Sequence, residues 1–292
     1  MNPGTDLELL RGVCRRGIPP LPSAAIRLAL ELAADEGLTN EALIDQLESD
    51  ARLRFAVLAA GNLTMLSGNR PVKTIRQAVG QIGRRKCLSL LWLVALSDSL
   101  RSWPNLHETA RDKLWRHSLL TGVLTQQLLA AAGLAALGDG LAAGMAHDIG
   151  HLLLASPGAS LGVVWHEEYE QLVERAVSPT PDRDHCRLGG SLLAFWDAPP
   201  ALVVSALHHH DPAAADPALA PLVVGVRLAD LLAEHIDLDR PAPPLRLVTA
   251  PAWEQLAALE PWHRVPFLYL VAIERLPESL LLAEHLANVL GG

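Results

Sequence analysis

Leucine and alanine recur along this chain at helical spacing, and proline, glycine and short polar clusters interrupt the pattern at intervals. Apolar residues at i, i+3 and i+4 mark amphipathic helices, whereas strict alternation would mark strands. The first third divides into short helices. Ile18-Pro19-Pro20-Leu21-Pro22 forms a rigid extended approach, after which Ser23 caps a helix running to about residue 34. Thr39 caps a second helix with Ala42, Leu43 and Leu47 on its buried side, and Asp50 caps a third that Gly61 and Asn62 end. Thr74-Ile75-Arg76-Gln77 has capping-box spacing and opens another short helix. Residues 84–100 are apolar on nearly every face, which predicts a central, buried helix.

The pattern breaks at Trp103-Pro104, which divides the chain into an N-terminal helical subdomain (1–104), a second subdomain (105–240) and a C-terminal helical tail (241–292). Two long apolar helices are expected at about 111–132 and 138–155. A proline-bearing loop over 178–184 precedes a helix from about His185. Pro199-Pro200 opens the next, which ends near His210-Asp211-Pro212, and Pro221 opens one that carries Arg227 and Asp230. Pro241-Ala242-Pro243-Pro244 reads as a linker. Trp115, Trp165 and Trp196 read as core.

Composition sharpens this into an all-α class. Half of the 292 residues are hydrophobic, enough for a substantial core, yet aromatic residues make only 4% and leucine and alanine dominate. The net charge of −8 argues against a large nucleic-acid face. DNA binding through the short helices between Thr39 and Asn62 is disfavoured for the same reason, and Arg84-Arg85-Lys86 reads as a solvated helix start. Cys14, Cys87 and Cys186 are scattered without CxxC spacing, so reduced thiols are expected and no cysteine zinc site. The first residues lack the order of a secretion signal, and Gln126, Gln127 and Asp139 interrupt the longest apolar run. A cytoplasmic protein with no membrane span is expected.

Nine of the twelve histidines fall between His107 and His210, in about a third of the chain. Within that interval Asp148 sits in an otherwise apolar helix, and a carboxylate there must be paired, hydrogen-bonded or metal-bound. His147 beside it makes a mixed nitrogen and oxygen ligand pair for a divalent ion such as Zn, Mn or Fe, although such a dipeptide is also compatible with a core histidine bonded to its neighbour. His117 precedes them on the preceding helix, and Asp230 is a second carboxylate in an apolar helix. His185 and the run His208-His209-His210 lie between. Neighbours on a helix diverge by about 100°, so only one or two of that run can face a common pocket, and His208 and His209 are favoured over His210, which reads as facing solvent or bonded near the helix end. His107, His166, His235, His263 and His285 read as isolated surface residues.

His117, His147-Asp148 and Asp230, in that order on separate helices, resemble the HD superfamily of metal-dependent phosphohydrolases, in which the equivalent four residues hold a metal that activates water or binds phosphate. A closer resemblance is to the HD-related output domain (HDOD) family of bacterial signalling proteins. It rests on Ile18-Pro19-Pro20-Leu21-Pro22, on Glu48-Ser49-Asp50 ahead of Leu53, Leu58, Gly61 and Asn62, and on the run from Pro71 through Val79. It continues in Trp115-Arg116-His117-Ser118, His147-Asp148-Ile149-Gly150 and His208-His209-His210-Asp211-Pro212, and spans about 18–235. The resemblance implies an HD-like subdomain packed against the N-terminal helices. The metal ligands it implies are His117, His147, Asp148 and Asp230, with His185, His208 and His209 as further ligands.

Two functions remain open. The resemblance implies a regulatory output module that acts through a signalling partner, with metal or nucleotide in the pocket. The intact ligand set instead fits a metal-dependent phosphohydrolase of nucleotides or cyclic dinucleotides. Active members of the related HD-GYP branch commonly carry a lysine after His-Asp-Ile-Gly and a later Gly-Tyr-Pro; this chain has His151 and Asp211-Pro212-Ala213-Ala214. His151 also lies four residues after His147, the spacing of a His-Glu-x-x-His metalloprotease, but Asp148 is a methylene shorter than that general base.

Overall fold

A computed structural model describes residues 39–62, 72–103, 108–134, 140–154, 163–164, 173–174, 184–234, 236, 251–259, 261–265 and 272–291. The opening proline motif and its helix, residues 178–183 of the proline-bearing loop, Trp165 and the linker at 241–244 lie outside them. Twelve helices are described: α1 (Asn40–Ser49), α2 (Ala51–Asn62), α3 (Ile75–Ile82), α4 (Arg84–Ser102), α5 (Glu108–Ala131), α6 (Gly140–Ala146), α7 (His151–Leu154), α8 (Asp184–Phe195), α9 (Pro200–His208), α10 (Ala220–Glu234), α11 (Pro251–Ala257) and α12 (Leu276–Gly291). Two short 3-10 turns, Pro212–Ala214 and Trp262–Arg264, and one two-residue antiparallel pairing of Val163–Val164 with Val173–Glu174 complete the described elements.

Among the described residues the predicted caps are in place. Thr39 accepts from the Ala42 N–H at 3.2 Å, and Asp50 accepts from the Leu53 N–H at 3.2 Å. Thr74 and Gln77 form the reciprocal capping box. Leu43 and Leu47 are buried as expected, with Ile44 beside them, while Ala42 is only half-buried. α4 is the central buried helix that its composition predicts, and Trp103 caps its end. Contacts cross the boundary drawn at Trp103-Pro104. The Trp115 indole N–H donates to Ser97 Oγ at 2.9 Å, and the Arg101 guanidinium lies over the same ring at 5.3 Å. The tail helix α12 packs on α2, α4 and α5, with Ser279 bonded to Gln127.

One expected element is divided. The helix predicted over 138–155 breaks after Ala146, and 147–150 form turns before α7 begins at His151. Across the break the backbone bonds shorten to i→i+3, from Ile149 to Ala146 at 3.2 Å and from His151 to Asp148 at 3.0 Å. Ala146, Ile149 and Leu152 keep an apolar residue at every third position across the break. Its cause is tertiary: α8 lies against Gly150 so closely that an added Cβ would stand 1.9 Å from the His185 carbonyl oxygen.

Candidate metal centre

Small residues set the positions of the first histidines. Gly122 on α5 and Gly144 on α6 let two helix backbones touch; a Cβ on Gly144 would lie 2.6 Å from Gly122 Cα and 2.8 Å from the Thr121 carbonyl oxygen. That approach brings His117, five residues before Gly122, beside His147, which follows α6. His147 Nδ1 meets the Gly144 carbonyl at 2.7 Å. A carbonyl only accepts, so Nδ1 carries the proton and Nε2 turns into the cluster. His209, just past α9, repeats the arrangement, with Nδ1 on the Ala206 carbonyl at 3.1 Å. α10 supplies Asp230, paired with Arg227 one turn earlier on the same helix.

The donor atoms converge. His117 Nε2 and His147 Nε2 lie 3.4 Å apart. His117 Nε2 is 3.6 Å from Asp148 Oδ2 and 3.2 Å from Asp230 Oδ1, while His147 Nε2 is 3.3 and 3.4 Å from the same two atoms. Metal bonds of about 2.0–2.2 Å to imidazole nitrogen and carboxylate oxygen put adjacent donors about 3.0–3.5 Å apart. The residues present therefore fit a divalent ion: His117, His147 and Asp148 form one group with donor atoms all within 4.8 Å of one another, and Asp230 Oδ1 lies beside both imidazoles.

Asp148 is shared with a second group. Its other oxygen, Oδ1, lies 3.4 Å from His185 Nε2, 3.5 Å from His209 Nε2 and 3.9 Å from His151 Nε2. His185 and His209 present their Nε2 atoms 3.2 Å apart, and Cys186 Sγ is 3.4 Å from His185 Nε2. One carboxylate thus faces two donor sets, one through each oxygen.

Charge is arranged to match. Burial opposes a charge on His147, but Asp148 and Asp230 outweigh it and raise its pKa to about 10. Burial likewise works against ionised Asp148 and Asp230, and the neighbouring histidines more than offset it, so both carboxyls stay well below the usual range. Burial would raise the Cys186 thiol, yet His209 and His185 bring it down to about 6, whereas burial alone pushes the Cys87 thiol up to about 12.

His151 behaves differently. Burial and then the proximity of His185 hold its pKa down at about 3, and His210 is held at about 2, chiefly by burial and His209. Unfolded histidines take up protons near pH 6.5 while these two stay neutral, so their contribution to stability is full above about 6.5 and is lost as pH falls towards about 3. Glu234, raised to about 7 mainly by burial and Asp230, acts in the opposite sense between about 7 and 4.5 but over a smaller interval. The metal-free protein is expected to lose thermal midpoint as pH drops through 6 to 4, and His151→Gln to flatten that decline. An equally steep decline in the variant would contradict the assignment.

Of the residues singled out by sequence, His117, His147, Asp148, Asp230, His185 and His209 meet in one cluster. His208 does not: it ends α9, half-buried, and joins no donor group among the described residues. His210, expected to face solvent or to bond near the helix end, is half-buried and packs its ring 4.4 Å from His209 and 5.1 Å from His185. His151 does not continue a helix from His147; it lies beyond the turn, stacked on His185 at 4.3 Å, so the shared helix face of a metalloprotease pair is absent here. Cys186 was missed because no second cysteine marks it; the one signal is its position directly after His185.

The sequence model of the HDOD domain matches residues 18–212, two thirds of the chain. The chain belongs to the HDOD family. Its fold is that of other HDOD proteins of known structure. An HDOD domain protein of unknown function from Geobacter sulfurreducens is 20% identical with a TM-score of 0.67, over 99% of both chains. A protein from Shewanella amazonensis SB2B, provisionally named a metal-dependent phosphohydrolase, is 18% identical with a TM-score of 0.61, over 95% of this chain and 99% of its own. A provisionally named signal transduction protein from Marinobacter aquaeolei VT8 is 17% identical with a TM-score of 0.57, over 99% of this chain and 66% of its own. No curated protein sequence matches the chain. No helix among the described residues is long and apolar enough to cross a membrane.

Proposed function

We propose that this HDOD protein is a bacterial, cytoplasmic regulatory module in which a divalent metal, Fe, Mn or Zn, occupies the cluster of residues 105–240. Its occupancy would bias a surface, built with the N-terminal subdomain of residues 1–104, that a signalling partner reads. The observation that carries this reading is the set of five donor separations, 3.2–3.6 Å, among His117, His147, Asp148 and Asp230. His185 and His209 would hold a second ion through the other oxygen of Asp148. When bound, a metal supplies Lewis acidity and neutralises anionic oxygens.

Support for regulation over hydrolysis comes from the position after Gly150. His151 is buried, packed on His185 and uncharged at neutral pH, so it provides no cation to hold a phosphate as a lysine would. The Marinobacter neighbour's name agrees with a signalling role. The alternative, a phosphohydrolase of nucleotides or cyclic dinucleotides, is favoured by the complete ligand set and by the Shewanella neighbour's name. Protein loaded with Mn, Fe or Zn separates the two. Regulation predicts no turnover of a nucleotide and cyclic-dinucleotide panel above an Asp148→Ala background, with metal-dependent protection in hydrogen exchange that spreads from 147–154 to the surface. Turnover supports the hydrolase; exchange unchanged by metal counts against regulation.

A further inference from the structure

Cys186 is a donor of the cluster that belongs neither to the four-residue HD pattern nor to the further ligands expected from sequence. It follows His185 at the start of α8, is 4% exposed, and lies with His185, His209 and His210 in a group whose donor atoms are all within 4.8 Å of one another. Its sulfur is 3.4 Å from His185 Nε2 and 3.9 Å from His209 Nε2. Zinc-type bonds of about 2.3 Å to sulfur and about 2.05 Å to nitrogen separate tetrahedral neighbours by about 3.6 Å, which those two values bracket. The two imidazole nitrogens are 3.2 Å apart, and Asp148 Oδ1 stands 3.4 and 3.5 Å from them.

We propose that the second half of the centre is a thiolate site, held by His185, Cys186 and His209 with Asp148 Oδ1 beside both imidazoles, that selects a borderline-soft ion such as zinc over manganese or magnesium. This rests on the metal-centre reading above. Soft sulfur donors favour zinc-type ions, while the nitrogen and oxygen donors around His117 and Asp230 accept a wider range, so the two halves differ in preference across one shared carboxylate. On binding, the S–H bond of Cys186 breaks and its proton leaves to solvent. The sulfur lone pair forms the bond to the ion, and no electron is transferred.

Cobalt(II) is the probe, because a thiolate bound to it gives a sulfur-to-cobalt charge-transfer band in the near ultraviolet, distinct from the visible bands of any cobalt site. Metal-free full-length protein, kept reduced, is titrated with cobalt. The charge-transfer band is expected in the wild type and in a Cys14→Ser/Cys87→Ser variant, and its loss is expected in Cys186→Ser while visible cobalt bands from the first half remain. X-ray absorption at the cobalt edge of the wild type reads sulfur in the coordination shell directly, whether or not Cys186→Ser folds. Visible cobalt bands without charge transfer or a sulfur scatterer, or a band that survives in Cys186→Ser, would overturn the thiolate site and leave the metal centre standing. No cobalt retained at all would overturn both.

Discussion

Gly150→Ala is expected to cost about 3 kcal/mol of folding stability, the upper end for overpacking, and to disrupt the donor set around His185. The added methyl would meet the His185 carbonyl oxygen at 1.9 Å and the Gly189 nitrogen at 2.7 Å. Both are backbone atoms of α8, so no side chain can swing away and the helix itself must move. Because His185 and Cys186 open that helix, the displacement carries them from Asp148. Gly80→Ala is the control: nothing lies within 4 Å of its added methyl, and a glycine inside a helix costs about 0.5–1 kcal/mol relative to alanine, so this variant should gain stability. Chemical denaturation of the metal-free proteins measures both. Equal stability of Gly150→Ala and wild type would mean that the turn and α8 are not in backbone contact.

Asp148→Ala is expected to destabilise the metal-free protein by about 3–5 kcal/mol, because it removes one partner of a buried charge pair and leaves His147 with Asp230 alone. His147 is fully buried, so bulk solvent does not screen the imbalance left behind. The pKa of His147 should then drop from about 10 towards the ordinary range, measurable by NMR titration of its ring protons. An unchanged His147 pKa in the variant would show that Asp148 is not its main counter-charge.

Helices and their caps were legible because both signals are local. Thr39, Asp50 and the Thr74–Gln77 box act within one turn of chain, and all three bonds are formed. The break at 147–150 was not, since Ala146, Ile149 and Leu152 are apolar whether the helix continues or turns, and the close approach of α8 at Gly150 involves residues far along the chain. Asp148 and Asp230 could be named because each is a carboxylate in an apolar stretch, where burial demands a partner, and His147 because it adjoins Asp148; His117, between Arg116 and Ser118, stood out only through the HD-type order. Their grouping depended on resemblance, because the glycine contact between Gly122 and Gly144 that aligns α5 with α6 leaves no periodic trace. In the run of three histidines, spacing alone could not decide which would turn inward. α9 ends at His208, and the bond from His209 to the Ala206 carbonyl aims His209, not His208, at Asp148.

In the proposed metal-binding centre one carboxylate joins two donor sets. Elemental analysis of the purified protein after loading with Fe, Mn or Zn and removal of loose metal, set against Asp148→Ala in the same procedure, tests it most directly. Bound metal in stoichiometric amount is expected in the wild type, with its loss from both halves in the variant. Equal metal content in the two proteins, or none retained by the wild type, would contradict it.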